Sequence, residues 1–200
     1  MLLYNSRVSG NCWKVRQIAA HLGLALELHE LDVVDRSNRP AVIGHLNPAL
    51  RVPTLVLGDG RPLVESNAIL DYLAEGTLYL PSDPYLRAQA LGWQFFEQYE
   101  IEPNLAVARF LALFGVDASD EFRAQRQAGG IKGLQALERG LADREWLVGG
   151  VYSVADISLY AYVHVAGEGG FDLTAFPGIT AWLARVAAQP GHLRIDELPG

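Results

Sequence analysis

The chain changes its hydrophobic rhythm near residue 77, and the change divides it. Upstream, short apolar runs alternate with helical periodicity. Leu2-Leu3-Tyr4 is a brief strand candidate, followed by a turn-rich stretch holding Ser6, Ser9, Gly10 and Asn11. Val15, Ile18, Ala19 and Leu22 then recur at i, i+3, i+4 and i+7, one face of a helix, with Gly23 placed to end it. Leu24, Leu26 and Leu28 alternate with Ala25, Glu27 and His29, the period of a strand. This strand–helix–strand unit predicts a parallel pair joined by a crossover. Pro40 to Leu46 predicts a short helix closed by Asn47-Pro48. Thr54 to Leu57, the turn Gly58-Asp59-Gly60 and Pro62 to Val64 predict a β-hairpin. Glu65-Ser66-Asn67 opens a helix through Ile69, Leu70, Tyr72 and Leu73 that ends at Gly76.

Downstream the strand signals stop. Leu80-Pro81-Ser82-Asp83-Pro84 reads as a linker. Leu86, Ala90, Trp93 and Phe96, then Phe110, Leu111 and Phe114, predict a long helix broken near Pro103. Asp120 to Leu141 predicts another, weakened by Gly129, Gly130 and Gly133. Ser153-Val154-Ala155-Asp156 has the form of a capping box. Phe176-Pro177 starts a last helix with Ile179, Trp182, Leu183 and Val186 on one face. The expected organisation is an α/β domain over residues 1–76, a linker over 77–84 and an all-α domain over 85–200.

Composition narrows the class. Half of the 200 residues are hydrophobic and a fifth are charged, which excludes a disordered chain. Sixteen basic against 23 acidic groups give a net charge of −7, the wrong sign for a nucleic-acid binder. The excess is uneven: residues 1–76 balance at −1 and residues 77–200 at −6. A small anion would therefore meet less repulsion in the first part. No apolar run approaches the ~20 residues of a membrane span, and Met1 to Asn5 is too short and too soon interrupted for a signal peptide. One cysteine excludes an internal disulfide and a multi-thiolate zinc site, and fits a reducing, cytoplasmic compartment. The five histidines have no metal-ligand spacing, so no metal site is expected.

The chemistry concentrates in the loop from Ser6 to Lys14. It follows the first strand and opens the first helix, where an α/β unit places its ligand against a positive helix N-terminus. Ser9-Gly10-Asn11-Cys12 keeps the spacing of a C-x-x-C pair with serine in the first slot. Two readings stand. Ser9 is a helix cap with a buried thiol three residues on, or Ser9 donates its O–H to the sulfur of a bound thiol, with Cys12 a spectator.

Two further segments, Asn47-Pro48-Ala49-Leu50-Arg51-Val52-Pro53-Thr54-Leu55 and Leu63-Val64-Glu65-Ser66-Asn67-Ala68-Ile69, closely resemble the glutathione-binding segments of the glutathione S-transferase superfamily. Ser9 to Arg16 resembles the active-site loop of its serine-type members. The resemblance covers essentially the whole chain. It implies a thioredoxin-like βαβαββα domain followed by an all-helical domain, with glutathione as co-substrate, a small electrophile as second substrate and a homodimer as the assembly. It implies no nucleic-acid or membrane partner. Ser9 is then the catalytic donor, with Asn11 able to share or replace it. Val52, before a cis Pro53, would pair its backbone with the cysteinyl part of glutathione. Glu65 and Ser66 would hold the γ-glutamyl end, and Arg51 matches a position that in some members meets the glycine carboxylate. The bland alternatives are a trans strand-entry proline, an acid-and-cap helix start and a solvated arginine.

Val8, Trp13 and Arg109 are the candidates for the electrophile site, expected in the cleft between the domains. Arg109 stands among apolar neighbours, so it wants a partner: Glu100, Glu102 or an anionic substrate. Three departures from the family's pattern matter. Leu50 stands where glycine is frequent, so the loop before Arg51 is expected to differ in shape. Tyr4 lies within the first strand, against a tyrosine-type enzyme. Ser9-Gly10-Asn11 replaces a hydroxyl-rich run, against an isomerase. The expected activity is therefore a glutathione transferase, with a glutathione-dependent isomerase or disulfide oxidoreductase, or a non-catalytic glutathione-binding or scaffold protein that kept the fold, as alternatives.

Overall fold

The computed structural model describes residues 1–199. The chain separates into two compact units. The first holds Met1–Glu75 together with the stretch from Pro190 onward, and the second holds Gly76–Gln189. The last ten described residues therefore fold with the first unit, a correction to the expectation that everything after residue 84 joins the helical domain. The cause is a set of long-range contacts: helix side chains of the first unit hydrogen-bond the backbone of residues 190–195.

In the first unit the elements run β1 (Leu2–Asn5), α1 (Gly10–Leu22), β2 (Glu27–Glu30), α2 (Arg39–Ile43), β3 (Thr54–Val56), β4 (Pro62–Val64) and α3 (Ser66–Ala74). The thioredoxin-like βαβαββα order is the order observed. The strands form one sheet in the order β2-β1-β3-β4, with β1 parallel to β2 and antiparallel to β3, and β4 antiparallel to β3. Leu3, Leu55, Ile18, Ile43, Ile69 and Leu70 are fully buried and make its core.

Helix α1 starts where Ser9, in an extended conformation, accepts a hydrogen bond from the Cys12 N–H, and stops at Gly23, whose φ of 63° is left-handed. Strand β2 begins at Glu27, three residues later than the alternation suggests. Leu24 is spent on the helix end, its N–H donating to Ala19 O at 2.9 Å, and the ladder opens only where Glu27 N–H reaches Met1 O. Helix α2 is shorter than expected, because the chain turns after Ile43.

The second unit is helical: α4 (Pro84–Phe96), a π-helical stretch (Glu97–Ala106), α5 (Val107–Phe114), α6 (Asp120–Gly140), α7 (Val154–Val163), a 3₁₀ turn (Ala166–Gly169) and α8 (Pro177–Ala187). The expected break at Pro103 is absent. A widened π turn absorbs the proline, and the Asn104 side chain donates to Glu100 O at 2.7 Å. The glycines of α6, expected as weak points, are contact points. A Cβ on Gly129 would strike the Asn104 side chain, and one on Gly130 the Phe171 ring. No helix among the described residues is long and apolar enough to cross a membrane.

Helix α7 is buried along its whole length, and Asp156 in its first turn anchors the unit. Its carboxylate accepts from Leu147 N, Ser153 N, Ser153 Oγ and Trp182 Nε1 at 3.1, 3.0, 3.1 and 2.9 Å. Burial pushes its pKa up to about 6 against the pull of those donors. Replacing Asp156 by Asn puts an NH₂ where an acceptor is needed and strands buried donors. The expected loss is about 2–4 kcal/mol of stability, read from urea or thermal melting; a loss under about 0.5 kcal/mol would contradict this account.

Candidate functional site

Sheet register gathers the sequence-predicted residues. Tyr4 of β1 pairs with Thr54 of β3, and Thr54 pairs with Val64 of β4, so the three lie in one row across the sheet. Beyond that row, on the same side, the chain continues as Ser6–Ser9 after β1, as Val52-Pro53 before β3 and as Glu65-Ser66 after β4. All three segments thus leave the sheet at one end.

At the first segment, Ser9 is half-buried, its Oγ accepts from Cys12 N–H at 3.3 Å, and its side chain also bonds the Cys12 thiol. Cys12 is fully buried and its Sγ accepts from Ser6 N–H at 3.3 Å. Burial pushes the Cys12 thiol up to about 11, outweighing the opposing bonds from Ser9 and Ser6. Such a thiol is neither exposed nor ionised near neutral pH.

The second segment is organised by Asn47. Its Nδ2 donates to Arg51 O at 3.0 Å and to Thr54 Oγ1 at 2.9 Å, while its Oδ1 accepts from Ala49 N–H at 2.9 Å. Leu50 adopts a φ of 55°, the left-handed region that favours glycine. The loop therefore takes a glycine-like shape although leucine occupies it, and Arg39 Nη1 holds the Leu50 carbonyl at 2.9 Å. That corrects the expectation of an altered loop. The Val52-Pro53 peptide is cis. Among the described residues, nothing hydrogen-bonds the backbone of Val52 or the exposed side chain of Arg51.

At the third segment Glu65 is exposed, and its φ of 68° turns the chain sharply into α3. Ser66 is buried, accepts from Lys14 Nζ at 3.3 Å and donates to Asn11 Oδ1 at 3.1 Å. This bond joins the starts of α1 and α3. It also engages the Asn11 amide on the Ser66 side.

The remaining candidates lie elsewhere. Val8 is half-buried on the loop before α1. Trp13, expected to wall the second-substrate cavity, is a core residue: it has no exposed surface, and its indole N–H donates to Leu193 O at 2.9 Å. Arg109 belongs to the second unit, where its Nε donates to Glu168 Oε2 at 2.7 Å. That partner, 59 residues away, was not among those suggested by the neighbouring sequence.

Sequence reasoning missed Lys14, Arg16 and Asn47. Lys14 and Arg16 lie outside the positions Val15, Ile18, Ala19 and Leu22 that define the predicted helix face, yet every residue from Cys12 to Ala19 is buried. A helix with no solvent face was the missing premise. Asn47 read only as a helix stop.

Known proteins fit this geometry. Residues 3–76 match the family model described as glutathione S-transferase, N-terminal domain, and residues 105–190 match that of the C-terminal domain. The crystal structure of a glutathione S-transferase from Pseudomonas fluorescens superposes with a TM-score of 0.94 at 44% identity, covering 98% of each chain. A maleylacetoacetate isomerase from Pseudomonas aeruginosa is 30% identical over 95% of this chain and 92% of its own. Glutathione S-transferase 2 of Anopheles gambiae is 30% identical over 92% and 88%. The chain belongs to the glutathione S-transferase family.

With its thiol held near 11, Cys12 should be only about one part in a thousand thiolate at pH 8. Iodoacetamide at that pH should leave the folded protein unmodified and label one thiol after unfolding. Rapid labelling of the folded protein would overturn the placement of Cys12 as an inert core group.

Proposed function

We propose that the protein is a glutathione transferase in which Ser9 stabilises the thiolate of bound glutathione. The observation that carries this reading is the shared row Tyr4–Thr54–Val64, which sends the Ser9 loop, Val52-Pro53 and Glu65-Ser66 out of one end of the sheet. The tripeptide then lies across that end. Its cysteinyl backbone pairs with the unladdered N–H and C=O of Val52. Its ammonium meets the Glu65 carboxylate, and its α-carboxylate sits at the positive N-terminus of α3 beside Ser66. Arg51 meets the glycine carboxylate.

Ser9 donates its hydroxyl hydrogen to the sulfur, giving up its bond to the Cys12 thiol. The thiol proton leaves to solvent, and each unit by which the thiol pKa falls corresponds to ~1.4 kcal/mol in favour of the thiolate. The sulfur then forms a bond to an electrophilic carbon, and the displaced leaving group carries away the electron pair of the bond that breaks. Holding both substrates together supplies further acceleration. Asn11 supports the site through Ser66. Val8, at the mouth of the loop, and Arg109 are the residues proposed toward the electrophile, and the working assembly is a homodimer.

A second reading follows from the relative named maleylacetoacetate isomerase. In it the same thiolate adds to a cis carbon–carbon double bond and is expelled after rotation, leaving glutathione unchanged. Turnover of a cis-enediketone acid without consumption of glutathione would favour it over alkylation of an aryl halide.

Replacing Ser9 by Ala should leave glutathione affinity within about twofold and lower kcat/KM for an aryl halide by about 10²-fold. Calorimetry and steady-state kinetics read the two separately. Undiminished kcat/KM would move the role to another group. Failure of the unaltered protein to bind glutathione would support the non-catalytic alternative.

A further inference from the structure

Four side chains of α1 at helical spacing, Trp13, Arg16, Gln17 and His21, hydrogen-bond the backbone of the C-terminal segment 190–195. Trp13 Nε1 donates to Leu193 O, and Gln17 Nε2 donates to Gly191 O at 3.0 Å. Gln17 Oε1 accepts from Leu193 N–H at 2.7 Å, and His21 Nδ1 lies 3.0 Å from Pro190 O. Arg16 completes the row, its Nη2 donating to Ile195 O at 2.5 Å.

The Arg16 side chain also reaches the loop that presents Ser9. The same guanidinium donates to Asn5 Oδ1 at 2.7 Å, to Ser6 O at 3.2 Å and to Arg7 O at 3.1 Å. Ser6 O is in turn the acceptor of the Ser9 N–H at 3.1 Å. One planar group thus runs from Ile195 O to the carbonyl that holds Ser9. The group is fully buried, and its Nε–H has no partner among the described residues. An unpaired buried donor costs stability, so the arrangement is poorly explained as a simple stabilising contact. What it achieves is a fork: Nη1 bonds Asn5 Oδ1 and Ser6 O on the loop side, while Nη2 joins Arg7 O of the loop to Ile195 O of the C-terminal segment. A lysine ammonium, a single point donor, cannot span both.

We propose that Arg16 is a positioning residue for the thiol site, bridging Ile195 O and Ser6 O so that docking of the C-terminal segment sets the placement of the Ser9 hydroxyl. The proposal rests on the reading of Ser9 as thiolate donor, and its test separates the two.

Full-length Arg16→Lys, Arg16→Gln and Gln17→Ala would be compared with the unaltered protein and with Ser9→Ala. The thiolate absorbance of bound glutathione is titrated against pH. Affinity for S-methylglutathione, which has no thiol to titrate, is measured alongside amide hydrogen exchange. Both Arg16 variants should raise the bound thiol's pKa by about one unit, a tenfold loss of thiolate near neutral pH. S-methylglutathione binding should stay within about twofold. Exchange should quicken at residues 6–9 and 191–195 together. Gln17→Ala, which loosens the segment without touching the loop, should shift the titration in the same direction by less.

Arg16→Lys with an unaltered titration would overturn the proposal, since charge would then suffice without the bridge. Faster exchange at 191–195 with none at 6–9 would overturn it as well. If Arg16→Gln does not fold, Arg16→Lys and Gln17→Ala carry the test. If Ser9→Ala leaves the titration unmoved, the Ser9 reading fails, and coupled or uncoupled exchange alone decides on Arg16.

Discussion

The N–H of Ser9 shares the carbonyl of Ser6 with the buried guanidinium of Arg16, and the first unit is arranged around that junction. Strand β1 ends one residue earlier at Asn5, whose side chain accepts from the same Arg16 nitrogen and also binds Glu30. Glu30 in turn accepts from Arg7 N–H at 3.1 Å. The turn between β1 and α1 is therefore fixed from the sheet, from the helix and from the C-terminal segment. A hydroxyl meant to hold a sulfur needs such fixation, because a donor that wanders by an ångström loses most of its value.

The same economy governs the other two segments. Asn47 satisfies two acceptors and a backbone N–H, so the loop to Thr54 keeps its shape despite the left-handed leucine. Ser66 ties α3 to Asn11 of α1. Each contact is polar and at least partly buried.

Much of the fold was legible because local signals agreed with the global one. Ser9 and Gly23 bound α1, and the Ser153-to-Asp156 motif caps α7, as their chemistry dictates. The site segments were legible from motif order. Other features depend on contacts far apart in sequence. Nothing near Pro190 says that its segment belongs with α1, since the bonds span more than 160 residues and read backbone atoms only. Arg16 and Lys14 drew no role for the same reason: what buries them lies elsewhere in the chain. Pro103 read as a break because the π turn that accommodates it has no sequence signature of its own.

The central claim is that Ser9, rather than Cys12 or Asn11, meets the sulfur of glutathione. A crystal structure of the protein with glutathione bound tests it most directly. The account predicts the sulfur within hydrogen-bond reach of Ser9 Oγ, the cysteinyl backbone paired to Val52, and Cys12 still buried. A sulfur seated against Asn11 or a backbone N–H, with Ser9 Oγ turned away, would contradict it.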